Sequence, residues 1–208
     1  MNKCERLHKI LEKGKLFDAN YNENDIPKFG ICIFFEKGEK AFGGNRIVRT
    51  GITKGYYSEL GEITGQTLHD RLETHYFGPK QKTVFRRKIG EVYLRDDEEL
   101  RRVWKDKKIK GDLEIENKVS DYMAKNMTFK IIRMDNPEKR KELEKRLIGA
   151  VSNCKECMPS KDWFGHKSPN PKVRESGLWQ EKHLFYKTEL TENDFKEIEL
   201  NLVVYGDK

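Results

Sequence analysis

Residues 29–36, FGICIFFE, constrain the fold more than any other segment, because this stretch is apolar on both of its faces. A strand of this kind has to be covered on both sides, which is typical of a central strand in a sheet. Pro27 precedes the segment and a Lys37–Gly38 turn follows it. A second strand is predicted at residues 46–50, and we expect it to pair antiparallel with the first.

Helical periodicity and capping residues account for most of the remaining chain. Helices are predicted at the N-terminus around Leu7, Ile10 and Leu11, at 67–76, 83–94, 96–126 and 137–152, and from Thr191 onward, with a further strand at 128–133. The expected fold class is α/β of the α+β type, a small antiparallel sheet flanked by helices. A chain of 208 residues suits one domain. We therefore predict a single domain over 1–208, with a core at about 25–180 and helical extensions at both ends.

The charge balance indicates the class of partner. The chain has 42 Lys and Arg against 35 Asp and Glu, a net charge of +7. This excess favours a polyanion such as nucleic acid, although a solvated basic surface without a partner explains it equally well. No stretch approaches the roughly 20 apolar residues of a membrane span. Four scattered cysteines suggest reduced thiols, so we expect a cytoplasmic protein that does not bind membranes; the sequence leaves its oligomeric state open.

Glu144 is the most informative single residue. At roughly 100° per residue, with Leu143 taken as zero, Leu147, Val151 and Ile148 fall near 40°, 80° and 140°, and Glu144 falls near 100°. A carboxylate therefore lies inside the apolar stripe of its helix, where loss of solvation is costly. Either a core-edge Arg or Lys neutralises it, or it serves as a ligand for a cation such as Mg²⁺ or as a general base.

A second pair of residues lies on the helix predicted at 67–76. Arg71 and His75 are four residues apart and share one face of this helix. A permanently charged guanidinium and a titratable ring suit phosphate recognition and proton transfer. The alternative is a surface pair beside an apolar stripe. Strand alternation adds that Gly30 with Cys32, and Arg49 with Gly51, can line one groove over the sheet.

Read in order, these residues resemble the GIY-YIG nuclease family. The similarity spans about residues 25–180 and rests on Gly30, Ile31 and Cys32, then Arg49, Thr50 and Gly51, then Arg71, His75 and Glu144. The resemblance implies a small antiparallel sheet flanked by helices. It also implies an endonuclease that hydrolyses phosphodiester bonds, with DNA as the expected substrate and Mg²⁺ or Mn²⁺ as the cofactor.

The resemblance also assigns roles to individual residues. Gly30 and Gly51 match the family glycines, and Arg71 matches the arginine that contacts the scissile phosphate. His75 matches the residue one helical turn later, which here would orient or deprotonate the attacking water. Glu144 matches the metal ligand, and Asn170 is our candidate for the downstream asparagine. As an isolated residue between two prolines, Asn170 is also a common turn former.

Two positions depart from the family pattern. Cys32 and Arg49 stand where the family has its two tyrosines, so the usual phenol groups are missing. Arg49 would act as a second phosphate clamp, and the base would be His75 or a metal-bound hydroxide. Tyr56 and Tyr57 lie nearby in sequence as other sources of a hydroxyl. The departures keep open an alternative function, a module of this fold that binds nucleic acid or a protein without cutting.

The C-terminal third contains the other candidate contacts. Arg174 and Trp179 are predicted to bind nucleic acid, the indole by stacking on bases, although such aromatic residues more often fill a core. Cys154 and Cys157 form a CxxC motif that a zinc-stabilised interaction domain could use. A structural zinc site needs four ligands, and the only obvious further candidates near these two cysteines in sequence are His166 and His183. We therefore expect ordinary thiols rather than zinc.

Overall fold

The computed structural model describes residues 1–206, which contain eight α-helices and five β-strands. The helices are α1 (Lys3–Glu12), α2 (Leu68–Tyr76), α3 (Val84–Tyr93), α4 (Glu98–Lys105), α5 (Leu113–Asn126), α6 (Pro137–Ser152), α7 (Pro171–Ser176) and α8 (Glu192–Asn201). The strands are β1 (Gly30–Ala41), β2 (Gly44–Ile52), β3 (Tyr56–Tyr57), β4 (Ile63–Thr64) and β5 (Met127–Arg133). The predicted fold class is confirmed.

The main sheet has three antiparallel strands in the order β2-β1-β5. The strand predicted to be central, β1, is the middle one. It pairs with β2 as expected, with Cys32 opposite Gly51 and Phe34 opposite Arg49. Strand β5 covers its other edge, where Ile131 lies opposite Cys32. Strand β2 is therefore an edge strand, and the short β3–β4 ribbon forms a separate sheet.

The sheet separates two hydrophobic cores, which explains why β1 is apolar on both faces. Ile31, Ile33 and Phe35 pack with residues of α1, α6 and α8. Cys32 and Phe34 point to the opposite face and pack with residues of α2, α3, α4 and α5. The molecule thus has three layers, helix, sheet and helix, and the strand in its centre is buried from both sides.

Capping residues define the helices where the sequence indicates them. The Thr67 and Thr191 side chains begin α2 and α8, each in a capping box with the aspartate three residues later. Asn136 caps α6, and Pro137 follows at its first position.

One predicted helix is wrong in its extent. Residues 96–126 form α4 and α5 rather than a single helix. Asp106 leaves the helical conformation at the end of α4, and the Asp112 side chain accepts a hydrogen bond from the Ile115 backbone to start α5. A capping aspartate in mid-segment favours a new helix start over a continuous helix.

Over residues 1–206 the longest helix, α6, has 16 residues, and none of the helices is long and apolar enough to cross a membrane. Between the end of α8 and residue 206 the chain forms neither helix nor strand, and Leu202 makes a single antiparallel bridge with Ile132 of β5.

The contact between α3 and α4 gives a test of the packing. A Cβ atom on Gly90 would lie 2.2 Å from the Cζ2 atom of Trp104. The indole is buried and donates a hydrogen bond to the Arg87 carbonyl at 3.0 Å, so it has no room to move. We expect Gly90→Val to lower the free energy of unfolding by about 3 kcal/mol. Lys125→Val, exposed on α5, should cost no more than about 0.7 kcal/mol. Urea denaturation measures both, and equal effects would contradict this packing.

Candidate active site

A cleft of about 650 Å³ opens at the edge of β2, between α2 and α3 on one side and α6 on the other. It is strongly basic. Its walls carry eight cationic side chains, Arg49, Lys54, Arg71, Lys82, Arg87, Lys107, Lys141 and Lys182, and three carboxylates, Glu138, Glu144 and Glu181. Low-dielectric walls with one predominant sign of charge attract ligands of the opposite sign, so the cleft suits an anion.

Glu144 projects from α6 into this cleft. Leu143, Leu147 and Ile148 anchor the helix in the core, and the glutamate beside them is half-buried. Burial raises the pKa of Glu144, although the charges of Arg49 and Arg71 act in the opposite direction. Within residues 1–206 no group hydrogen-bonds to this carboxylate or lies at ion-pair distance from it. The structural salt bridge considered from the sequence is therefore not formed.

Arg49 and Arg71 face Glu144 from the sheet and from α2. Arg49 is 6% exposed, donates to the Trp179 carbonyl, and lies over the Phe85 ring at 4.8 Å. Burial, together with the charge of Arg71, lowers the pKa of Arg49 to about 9. Burial also lowers the pKa of Arg71. The Nε atoms of both arginines are buried without a hydrogen-bond partner in the described chain, so each retains an unused donor.

His75 lies behind the cleft rather than on its wall. The ring is 1% exposed, and its Nδ1 atom forms a hydrogen bond of 2.8 Å with Thr83 Oγ1. Its Nε2 atom has no partner within residues 1–206 and lies 3.9 Å from the point where Gly51 would carry a Cβ. Burial, with the charges of Arg71 and nearby arginines, lowers the pKa of His75 well below its usual range. The ring is therefore neutral, and Gly51 separates it from the cleft.

The expected groove over the sheet is only half formed. Arg49 and Gly51 line the cleft, but Gly30 and Cys32 do not. The reason is topological, because β1 is the middle strand and α2 covers it, whereas only the edge strand β2 reaches the cleft. The Cys32 side chain is 2% exposed, and burial raises the pKa of its thiol.

The structure places Asn170, Arg174 and Trp179 away from the cleft wall. Asn170 caps α7 through the Lys172 amide, and its Nδ2 atom donates to Glu181 Oε1 at 2.6 Å, so it contacts a cleft residue. Arg174 is exposed and donates to the Ser168 carbonyl at 2.6 Å.

One expectation for this region needs correction. Trp179 is fully buried and donates to Glu36 at 2.7 Å, so its ring has no free face for a base. His183 lines the cleft and lies apart from the CxxC motif. His166 contacts the Ser160 carbonyl. Cys157 instead meets His8 of α1.

Sequence reasoning missed several cleft residues. Gln180, Glu181 and Lys182 lie beside β2, where the Trp179 amide donates to the Val48 carbonyl at 2.8 Å. Thr83, whose hydroxyl forms a hydrogen bond with the His75 ring, was also missed. The cap position of Thr83 before α3 was the only sequence signal for it, and a cap does not reveal that its hydroxyl also faces a histidine eight residues earlier. Tyr56 and Tyr57 are not on the cleft wall, since both lie half-exposed on the β3–β4 ribbon.

Comparison with known proteins supports one family. A family model described as "GIY-YIG domain" matches residues 2–201, nearly the whole chain. Neither the curated proteins nor the solved structures show a significant match to this chain.

The environment of His75 predicts a pH effect on stability. The unfolded chain binds a proton near pH 6.5, whereas the folded state holds the ring neutral to lower pH. The free energy of unfolding should therefore decrease as the pH falls below 6.5, by up to about 1.4 kcal/mol per pH unit, until the folded-state pKa is reached. Urea denaturation at several pH values measures this slope. His75→Gln should remove the contribution of His75 to the pH dependence of the free energy of unfolding. A ring that protonates in NMR titration at pH 6.5 or above would contradict the prediction.

Proposed function

The chain belongs to the GIY-YIG domain family, and we propose that it is an endonuclease that hydrolyses phosphodiester bonds of nucleic acid with Mg²⁺ or Mn²⁺. The observation that carries this proposal is Glu144, an unpaired, half-buried carboxylate opposite two arginines with unused donors. The family resemblance makes DNA the expected substrate. The nuclease-type fold agrees with this reaction, and the cytoplasmic location stays a prediction.

The donor set fits a hard divalent cation. Mg²⁺ prefers oxygen ligands and keeps several waters, so one or two carboxylates suffice to hold it. Glu144 would provide that carboxylate, since nothing in the described chain competes for its oxygens. A bound divalent cation would supply Lewis-acid polarisation of the phosphate and stabilisation of the departing oxygen.

The two arginines provide the anion-binding part of the site. Arg71 would contact the scissile phosphate, and Arg49 would clamp a second phosphate oxygen from β2. Burial already desolvates both guanidinium groups, and Arg49 is also held by the Trp179 carbonyl and the Phe85 ring, so little reorganisation is needed there as negative charge develops on phosphorus. Charge arranged in advance in this way is commonly the largest contribution to rate enhancement.

His75 is the candidate for orienting or deprotonating the attacking water. If Nδ1 donates its proton to Thr83 Oγ1, Nε2 is left as an acceptor that points toward Gly51. A low pKa keeps that acceptor unprotonated at neutral pH. Because Gly51 has no side chain, a water in the cleft can approach His75 more closely here than past any other residue type. His75 would then orient this water or take its proton.

One observation favours the second candidate, a module that binds nucleic acid without cutting. The thiol of Cys32, at the position of the first family tyrosine, is buried outside the cleft. It replaces neither the hydroxyl nor the acidity of a phenol there. The same basic cleft would then hold the phosphate backbone, and the carboxylate of Glu144 would have no catalytic function.

Glu144→Gln separates these functions. The amide retains the shape of the side chain and loses the charge, so we expect cleavage of a plasmid with Mg²⁺ or Mn²⁺ to fall by at least about 100-fold. Folding should be unaffected, because the charge that is removed is one that burial disfavours. The matched control is Glu142→Gln on the same helix, whose carboxylate forms an ion pair with Lys145 away from the cleft.

The assay should include EDTA and an RNA substrate. Unchanged cleavage by Glu144→Gln would remove this residue from the mechanism. A wild-type protein that binds DNA but does not cut it with either metal would establish the binding module instead.

The salt dependence of DNA binding tests the cleft itself. In EDTA, we expect the logarithm of the association constant to fall linearly with the logarithm of salt concentration, by about 0.9 per phosphate contact. Arg71→Ala should flatten this slope by about one contact, whereas Lys125→Ala on exposed α5 should leave it unchanged. Arg174→Ala tests whether the predicted contact outside the cleft exists. A slope that Arg71→Ala does not alter would place the bound phosphates elsewhere.

A further inference from the structure

A second cluster of ligand-type side chains lies far from the cleft, where α1 meets the end of α6. Cys4 and His8 are four residues apart on α1, and Cys157 follows α6. Their ligand atoms all lie within 4.8 Å of one another, and all three residues are buried. The sequence separates His8 from Cys157 by 149 positions, so only the fold brings them together.

The orientation of His8 matches that of a metal ligand. Its Nδ1 atom is 2.9 Å from the Cys4 carbonyl oxygen, which can only accept, so Nδ1 carries the ring proton. The Ile47 amide donates to Nε2 at 3.4 Å, a long hydrogen bond that a metal ion at Nε2 would have to replace. A backbone carbonyl that fixes the ring through Nδ1 is the usual support of a histidine that binds a metal through Nε2.

One ligand–ligand distance also fits a tetrahedral zinc ion. Zn–S bonds of about 2.3 Å and Zn–N bonds of about 2.05 Å place the sulfur and nitrogen ligands about 3.6 Å apart. The Cys157 Sγ atom lies 3.7 Å from His8 Nε2.

Cys154 is the candidate for the fourth ligand, because it lies in the same CxxC turn as Cys157. The Cys157 amide donates to the Cys154 carbonyl at 3.3 Å, which closes this turn. Two cysteines at this spacing are a common half of a structural zinc site. Cys154 is half-buried and lines a groove of about 570 Å³ with Cys4, so an ion can enter from solvent.

We infer that Cys4, His8, Cys154 and Cys157 form a structural zinc site that fastens α1 to the C-terminal end of α6. Three thiolates and an imidazole are soft ligands that select zinc over Mg²⁺ or Ca²⁺. Four protein ligands leave no open position, which makes the site structural and not catalytic. The earlier expectation of ordinary thiols considered His166 and His183 as ligands and lacked the long-range partners Cys4 and His8.

The site would stabilise the fold through chain topology. It closes a loop of about 150 residues, and cross-links that close long loops restrict the unfolded chain most. It also lies at one end of α6, and Glu144 lies in the middle of that helix. This inference does not depend on the nuclease proposal, because metal content is measured without any substrate.

The full chain, expressed in zinc-supplemented medium and purified without chelators, tests the inference directly. Elemental analysis should give one zinc per chain and no iron. Replacement by Co²⁺ should produce the intense visible bands of tetrahedral cobalt together with thiolate charge-transfer bands. Removing the metal should lower Tm by at least about 5 °C. A zinc content below about one tenth per chain without cobalt bands, or iron with labile sulfide, would overturn the proposal.

Variants identify the ligands. Cys4→Ser and Cys157→Ser should each reduce zinc content at least tenfold, whereas His166→Ala and Cys32→Ser should retain one zinc per chain. If a variant does not fold, alkylation of the wild-type protein shows whether Cys154 is a zinc ligand. Half-buried Cys154 should resist the reagent with zinc bound and react after chelation. Equal reactivity in both states would exclude Cys154 as a ligand, and a disulfide among Cys4, Cys154 and Cys157 in the native protein would exclude zinc.

Discussion

Burial of β1 on both faces is the constraint on which the rest of the structure depends. A strand that exposes neither face needs a helical layer on each side, and α1, α6 and α8 lie on one side while α2 to α5 lie on the other. A three-stranded sheet with β1 in the middle leaves β2 as an edge. The cleft forms at that edge, where both helical layers and the sheet can each contribute a side chain. Glu144, Arg71 and Arg49 come from these three sources.

The cleft brings together charges that the fold does not neutralise. Burial opposes ionisation of Glu144 and of both arginines, and their mutual attraction offsets only part of this penalty. No ion pair forms between them, and two arginine Nε donors stay unused. In the proposed function, a phosphate would face the two arginines and a cation would face Glu144.

Local signals predicted the framework of the fold and half of the site. Apolar patterning identified β1, capping residues located α2, α6 and α8, and the helical angle of Glu144 placed its carboxylate beside the core. Local signals failed where a side chain's surroundings come from distant segments. Alternation put Cys32 on the same strand face as Gly30 but gave no sign that α2 covers it. Trp179 looked available because the sequence does not show the buried Glu36 that accepts its indole proton.

Helix α6 connects the two proposed metal chemistries and keeps them apart. Its middle presents a single hard carboxylate to the cleft, and its C-terminal end leads into the soft thiol ligands of the proposed zinc site. The Glu144 carboxylate favours a hard cation such as Mg²⁺, and the thiols favour zinc, because the type of ligand selects the metal. The proposed zinc site would resist rotation of α6 about its axis. Since a turn of one residue would move Glu144 by about 100°, a rigid attachment of α6 to α1 would hold the carboxylate toward Arg49 and Arg71 through a contact that never touches the cleft.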